Sequence, residues 1–429
     1  MKAIITLLGV LLIVSKPLQA QESTETPLDT LTRSVSSLLD DYNKSKRLKI
    51  TGYLQPQYQY CDSAGAPSFA GGDFATTAGS PYYSRFMMRR GRFKFEYNHE
   101  NVQYLCNIDV TEKAMAMRET YVRVIDPWLN MFSLTMGLLQ DQFGFELTQS
   151  SSVRETPERA RYTQTLFPVE RDLGAFLSML MPRSSPLFGL KVDVAVMNGV
   201  AGVNPEFDSN KDYTGRVQYS KTTKNEKVQF AMGVSGYYGG YRIGKVKDYN
   251  LTQVSNGDMV FKTSSDTGFV NRLAKRVYGA VDAQFSIDWP MGITTLRAEY
   301  IQGQQPGTDA SNKSPSVPPT SGIYHRLFNG SYFYFIQNIG QSRFQVVFKY
   351  DFYDPNVKIA GTEVGKAGSN TKMSDIRFDT YGFGVTARIN TNVKLVLYYD
   401  LVKNEKTLVT GYTSDIKDNV FTCRLQFRF

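Results

Sequence analysis

At 429 residues the chain is long enough for two or three soluble domains, yet no linker or shift in composition divides it. Past the first 20 residues no run approaches the roughly 20 apolar residues that a membrane-crossing helix needs, which excludes a helical membrane protein. The formal charge is +9, aromatics make up 13% and glycines number 34, a balance that fits many short alternating strands better than an α/β enzyme. Cys61, Cys106 and Cys423 are odd in number and far apart, so no disulfide framework is expected.

In chain order, Met1 to Val14 has a basic start at Lys2 and an apolar core, followed by Pro17-Leu-Gln-Ala20. This predicts a secretory signal peptide over residues 1–20, cut after Ala20, although Leu18 is bulkier than the small-residue rule prefers. No cysteine follows the cut, so lipidation is not expected. Losing Lys2 and Lys16 and no acid takes the charge from +9 to +7. Over residues 21–47, Leu28, Leu31, Val35, Leu38 and Tyr42 recur at helical spacing and predict a short periplasmic helical segment rather than a coiled-coil trimer contact.

Residues 48–429 read as an all-β, transmembrane antiparallel β-barrel of about 16 strands. Period-2 alternation places strands near 48–60, 85–97, 101–110, 117–125, 131–140, 173–181, 188–198, 213–221, 226–241, 275–288, 292–303, 331–338, 342–352, 376–389, 392–403 and 419–429. The connections alternate long and short. Short turns such as 98–100, 339–341 and 390–392 are then periplasmic, and the long loops near 61–84, 141–171, 242–274, 304–330 and 353–375 extracellular. Trp128 and Trp289 fall in Pro-containing turns on the periplasmic side, where an amphipathic ring suits the lipid boundary. The last strand alternates Phe421, Cys423, Leu425, Phe427 and Phe429 with Thr422, Arg424, Gln426 and Arg428, an apolar face against a cationic one that ends on an aromatic. Such an ending predicts a bacterial outer-membrane barrel, since closed barrels satisfy every backbone group in lipid.

If the apolar parity faces lipid, the polar parity lines the lumen. That sorting sends Arg90, Arg92 and Lys94 of the second strand inward, and with them Lys191, Arg216, Lys227, Arg276, Arg297, Arg343, Lys349, Arg388, Lys394, Arg424 and Arg428. Inward acids are fewer: Glu96, Asp109, Asp193, Asp282, Asp288, Glu299, Asp351 and Asp400. Individual charges can pair across strands and hold the wall in shape, but a cationic excess in a watery lumen favours anions, and guanidinium forks suit oxyanions. The expected anion pathway is Arg90, Arg92, Lys94, Arg276, Arg297, Arg343, Lys349, Arg388, Lys394 and Arg424. Segment 141–171 carries Arg154, Arg159, Arg161 and Arg171, with Thr156 as a helix N-cap and Pro157 as the first helical residue. It is expected to fold into the pore as a constriction loop; an external flap is the alternative.

Gly52-Tyr-Leu-Gln-Pro-Gln-Tyr58, Arg89-Arg-Gly-Arg-Phe-Lys94, Asp109-Val-Thr-Glu-Lys113, Ser150-Ser-Ser-Val-Arg-Glu-Thr-Pro-Glu-Arg159 and Phe167-Pro-Val-Glu-Arg-Asp-Leu-Gly174 together resemble the phosphate-selective porin O and P family, above all its Bacteroidetes relatives. The resemblance covers the first half of the chain well and the second half in pattern. It implies a 16-stranded homotrimeric porin with a basic channel for small anions such as phosphate; general anion passage is the broader expectation. An arginine ladder with a lysine-rich constriction matches only Arg90, Arg92 and Lys94. An outer-membrane barrel enzyme would need a His beside a Ser or Asp, and only His99 and His325 are available, neither beside a nucleophile signature. A plug-bearing transporter needs about 22 strands, too many for this length. A structural or interaction barrel without a channel stays open as a further class. No enzyme activity, cofactor, metal or nucleic-acid partner is expected.

Overall fold

The computed structural model describes residues 34–36, 47–76, 79–200, 202, 204–244, 246–263 and 272–429. It divides into a segment up to Leu48 and a barrel from Lys49 to Phe429. The signal peptide lies outside the described residues. Of the helical stripe, only Val35 is described, in a turn of helix over residues 34–36.

Sixteen strands form the wall: β1 (Leu48–Cys61), β2 (Ser84–His99), β3 (Val102–Val110), β4 (Met115–Ile125), β5 (Phe132–Gln140), β6 (Arg171–Leu180), β7 (Leu190–Met197), β8 (Asp212–Thr222), β9 (Val228–Arg242), β12 (Leu273–Trp289), β13 (Gly292–Gly307), β14 (Ile323–Asn338), β15 (Phe344–Asp354), β16 (Phe378–Arg388), β17 (Val393–Asn404) and β18 (Val420–Arg428). Neighbours in sequence pair antiparallel, β9 continues directly to β12, and β18 pairs with β1, so the sheet closes. Closure is tight. Gly52 N–H donates to Phe429 O and Phe429 N–H to Gly52 O, both at 3.0 Å. A Cβ on Gly52 would stand 2.4 Å from Arg92 O and 2.5 Å from the Phe429 ring, so only glycine lets the terminal residue dock there.

The outward parity is apolar all round. Phe95, Val122, Leu134, Val194, Val217, Val234, Val281, Phe333, Phe383, Leu397 and Leu425 are exposed, as a lipid-facing band requires. Cross-strand ring pairs such as Phe348 with Phe383 (5.2 Å) and Tyr350 with Tyr381 (5.1 Å) knit that face. Trp128 and Trp289 lie exposed at the short-turn rim.

Three expectations change. The 242–274 loop carries a hairpin, β10 (Asp248–Gln253) and β11 (Met259–Thr263), whose first strand lies parallel to the start of β14. β14 begins eight residues earlier than the pattern suggested, because Ile323 to Phe328 extend beyond the end of β15 and pair with β13 and β10 instead. Arg343 and Lys227 sit in turns just before β15 and β9, not inside strands.

Candidate functional site

The connection between β5 and β6 folds inward, and a chain of hydrogen bonds from its own residues to inward side chains traces its path. Gly144 N–H donates to Ser235 Oγ (3.0 Å), and Phe145 N–H to the Glu299 carboxylate (2.9 Å). A Cβ on Gly144, whose φ is +57°, would collide with that carboxylate. Ser151 meets Tyr53 Oη (2.5 Å), Ser152 O accepts from Gln426 (2.9 Å), Arg154 O accepts from Lys394 Nζ (3.1 Å), and Glu155 pairs with Arg297 (3.1 Å). Pro157 O accepts from Arg424 (2.7 Å), and Arg161 N–H donates to Asp351 (3.0 Å). These partners sit on β1, β9, β13, β15, β17 and β18, so the loop crosses the lumen rather than standing outside it.

Its helices are α1 (Phe145–Thr148) and α2 (Arg161–Leu166). The expected helix start at Thr156 and Pro157 is therefore wrong. Thr156 Oγ1 donates to Glu158 O and meets Tyr334 Oη, and residues 155–158 form a bend, with Glu158 and Arg159 held by Arg90 and by Glu146 O. The cap of α2 comes from a distance: the Glu146 carboxylate accepts from Ala160 N–H (2.9 Å) and Thr163 Oγ1 (2.7 Å), and also from Tyr334 Oη (2.7 Å). No sequence signal marks Glu146 for this work, because the capping oxygen lies fourteen residues from the amide it caps.

The loop divides the lumen unequally. On the β9 and β12–β15 side, Phe143, Tyr162, Leu166 and Phe167 join Tyr237, Tyr278, Phe328, Tyr332 and Tyr334 in a dry aromatic cluster, with Tyr162 stacked on Tyr332 at 6.2 Å and Phe143 against Phe167 at 5.3 Å. That half is filled. On the opposite side, towards the short turns, two cavities of about 610 and 690 Å³ flank the loop at Ser152 and Val153. Lys49, Arg92, Lys94, Arg159, Arg171, Arg343, Arg388, Lys394 and Arg428 line them, and among the described residues Glu119 is the sole lining acidic side chain. Towards the long loops, a smaller chamber of about 250 Å³ is bordered by Asp73, Arg161, Lys313, Phe378, Tyr412 and Asp418.

Within this frame the expected pathway residues separate. Arg90, Arg92 and Lys94 do face inward, but each has a carboxylate: Glu158 (3.0 Å), Asp109 (3.6 Å) and Glu96 (2.7 Å). The row is thus not a bare cationic track. Arg276 pairs with Asp212 and Lys349 with Asp351 (2.9 Å), both pairs deep in the wall. Arg297 and Arg424 anchor the loop. Arg159 pairs with Glu170, and Arg171 with Glu119 (2.7 Å) and Glu170 (2.8 Å). Arg161 lies between the rings of Phe69 (4.3 Å) and Phe378 (3.9 Å). Arg343, Arg388 and Lys394 border the larger cavities, and with Lys49 and Arg428 they have no carboxylate in ion-pair range among the described residues. Arg154 is 2% exposed, and its three guanidinium nitrogens meet no hydrogen-bond acceptor among the described residues.

Sequence alternation missed Arg89, which should point to lipid. It instead reaches Glu158 with two hydrogen bonds of 2.8 and 2.9 Å, so the consecutive residues Arg89 and Arg90 both bring their guanidinium groups to the same carboxylate. Glu158 draws in Arg424 as well (2.7 Å). Burial disfavours its charge, but Arg89, Arg90 and Arg424 outweigh that and hold the carboxyl well below the usual range. At the long-loop end, burial lifts Asp418 to about 6, partly offset by Arg161.

No protein-family model and no curated protein matches the chain. Among solved structures it is similar to Pseudomonas putida OprB, with a TM-score of 0.59 at 10% identity over 93% of this chain and 97% of that one. It is also similar to an anion-selective porin from Comamonas acidovorans, with a TM-score of 0.52 at 8% identity over 89% and 99%, and to the outer membrane channel DcaP of Acinetobacter baumannii, with 0.52 at 10% over 89% and 97%. With its apolar girdle, closed 16-strand wall and inward loop, the chain has the fold of a bacterial outer-membrane porin.

Proposed function

We propose that the protein is an outer-membrane diffusion channel that passes small anions in preference to cations, phosphate and related oxyanions among them. One observation carries this reading: among the described residues, nine basic side chains against one acidic one border the two large cavities beside the loop. Pairing removes part of that charge, since Arg92, Lys94, Arg159 and Arg171 are matched. Lys49, Arg343, Arg388, Lys394 and Arg428 remain. A water-filled vestibule with such an excess concentrates anions and repels cations before either reaches the narrow part. The likeness to an anion-selective porin agrees with this reading, and the sequence resemblance to the phosphate-selective porin O and P family suggests the oxyanion class. We also propose a mature chain starting at Gln21 and a homotrimer in the membrane.

The deciding experiment is the reversal potential of the purified protein in a planar bilayer under a potassium chloride gradient. Anion preference predicts a potential of chloride sign; a zero or potassium-signed potential refutes it in favour of a nonselective or cation channel.

A further inference from the structure

The wall formed by β18, β1 and β2 holds a cluster of hydrogen-bond donors larger than its acceptors. Arg89 and Arg90 on β2 and Arg424 on β18 converge on one carboxylate, that of Glu158, which is carried by the loop and not by the wall. Between them on β1, Gln55 Oε1 accepts from Arg90 (3.2 Å) and Gln57 Oε1 from Arg424 (2.8 Å), so both arginines are held in place whether or not Glu158 is there. Two donor groups stay unanswered among the described residues: Gln57 Nε2 and all three guanidinium nitrogens of Arg154, each on a side chain more than nine-tenths buried. Arg154 is near enough to Glu158 to act on its charge. Its chain neighbours Ser152 and Val153 border both basic cavities, so the backbone that carries it runs along their edge.

Buried donors without acceptors are costly, and guanidinium groups with no anion are the costliest. The cage already has the shape of a carboxylate, because Arg89 grips Glu158 through Nε and Nη2 in the two-pronged manner that a planar carboxylate allows. We propose that this cage is a binding site for the carboxylate group of a passing solute: Glu158 fills it at rest, Arg154 receives the incoming carboxylate, and the solute displaces Glu158 from the arginines. The inference rests on the anion-passing reading of the lumen and adds a solute class to it.

The probe is acetate, measured as the concentration that halves chloride conductance of the full-length protein in a bilayer, with inorganic phosphate as a parallel arm. Glu158→Gln takes the resident competitor away and should lower the half-blocking acetate concentration at least about tenfold. Arg154→Gln removes the receiving donor and should raise it by a similar factor. A change below twofold in either variant overturns the proposal. Should Glu158→Gln fail to assemble as a heat-modifiable barrel, Arg154→Gln decides alone, since its guanidinium makes no hydrogen bond among the described residues. Equal shifts for phosphate and acetate overturn the carboxylate class. Reversal potentials separate the two readings: chloride-signed potentials with unmoved acetate block refute the cage alone, whereas a potassium-signed wild type refutes the anion channel itself.

Discussion

Reversing three exposed charges at the vestibule rim, Arg343→Glu, Arg388→Glu and Arg428→Glu together, changes the local charge by six units without emptying a buried pair. All three side chains are exposed, and among the described residues only that of Arg343 makes a hydrogen bond, to Ile389 O at 3.0 Å. For an ion about 10 Å from each charge, one unit is worth roughly 0.4 kcal/mol in water and about 0.15 kcal/mol after screening over one Debye length at 0.1 M salt. Six units then amount to roughly 0.9 kcal/mol, about fivefold less anion and fivefold more cation in the vestibule, hence a change on the order of twentyfold in the permeability ratio. The assay is the reversal potential of wild type and triple variant in the same gradient. Repeating it near 1 M salt should nearly erase the difference, because the Debye length falls to about 3 Å. A shift below twofold at low salt, or one that persists undiminished at high salt, would refute the idea that the unpaired rim cations set ion choice.

Replacing Phe429 with Asp should sharply reduce assembled barrel in outer-membrane fractions, since this residue closes the sheet on Gly52 and its ring packs on Phe93 at 5.8 Å; unchanged levels count against it. Deleting residues 150–160 should raise single-channel conductance on the order of twofold by merging the two basic cavities across the lumen, and a lower or equal conductance would mean the loop does not narrow the path. Phe143→Ala should cost roughly 3–5 kcal/mol of loop packing and appear as increased open-channel noise, with quiet recordings as the contrary result. Asp418, lifted by burial to about 6, is ionised at pH 7.5 and neutral at pH 4.5. Falling pH thus removes a negative charge from the long-loop chamber, so anion preference should rise through pH 6, and Asp418→Asn should flatten that rise.

The sixteen wall strands were legible in the sequence to within a few residues at most ends, because a side chain in a barrel has only two directions and lipid enforces one of them. The signature of Phe421 to Phe429 and the alternation of long and short connections belong to the same local chemistry. What the inward arginines do was not legible. Alternation says that Arg90 faces the lumen; it cannot say that Glu158, 68 residues away in sequence, meets it there. Nor could period-2 reasoning bring Arg89 and Arg90 to one carboxylate, since it assigns consecutive residues to opposite faces and does not follow where a long side chain reaches. The loop is the extreme case. Its path depends on Glu299, Tyr334, Asp351 and Arg424, which come together only when the sheet closes on itself, and that closure alone decided which half of the lumen packed dry and which stayed basic and wet.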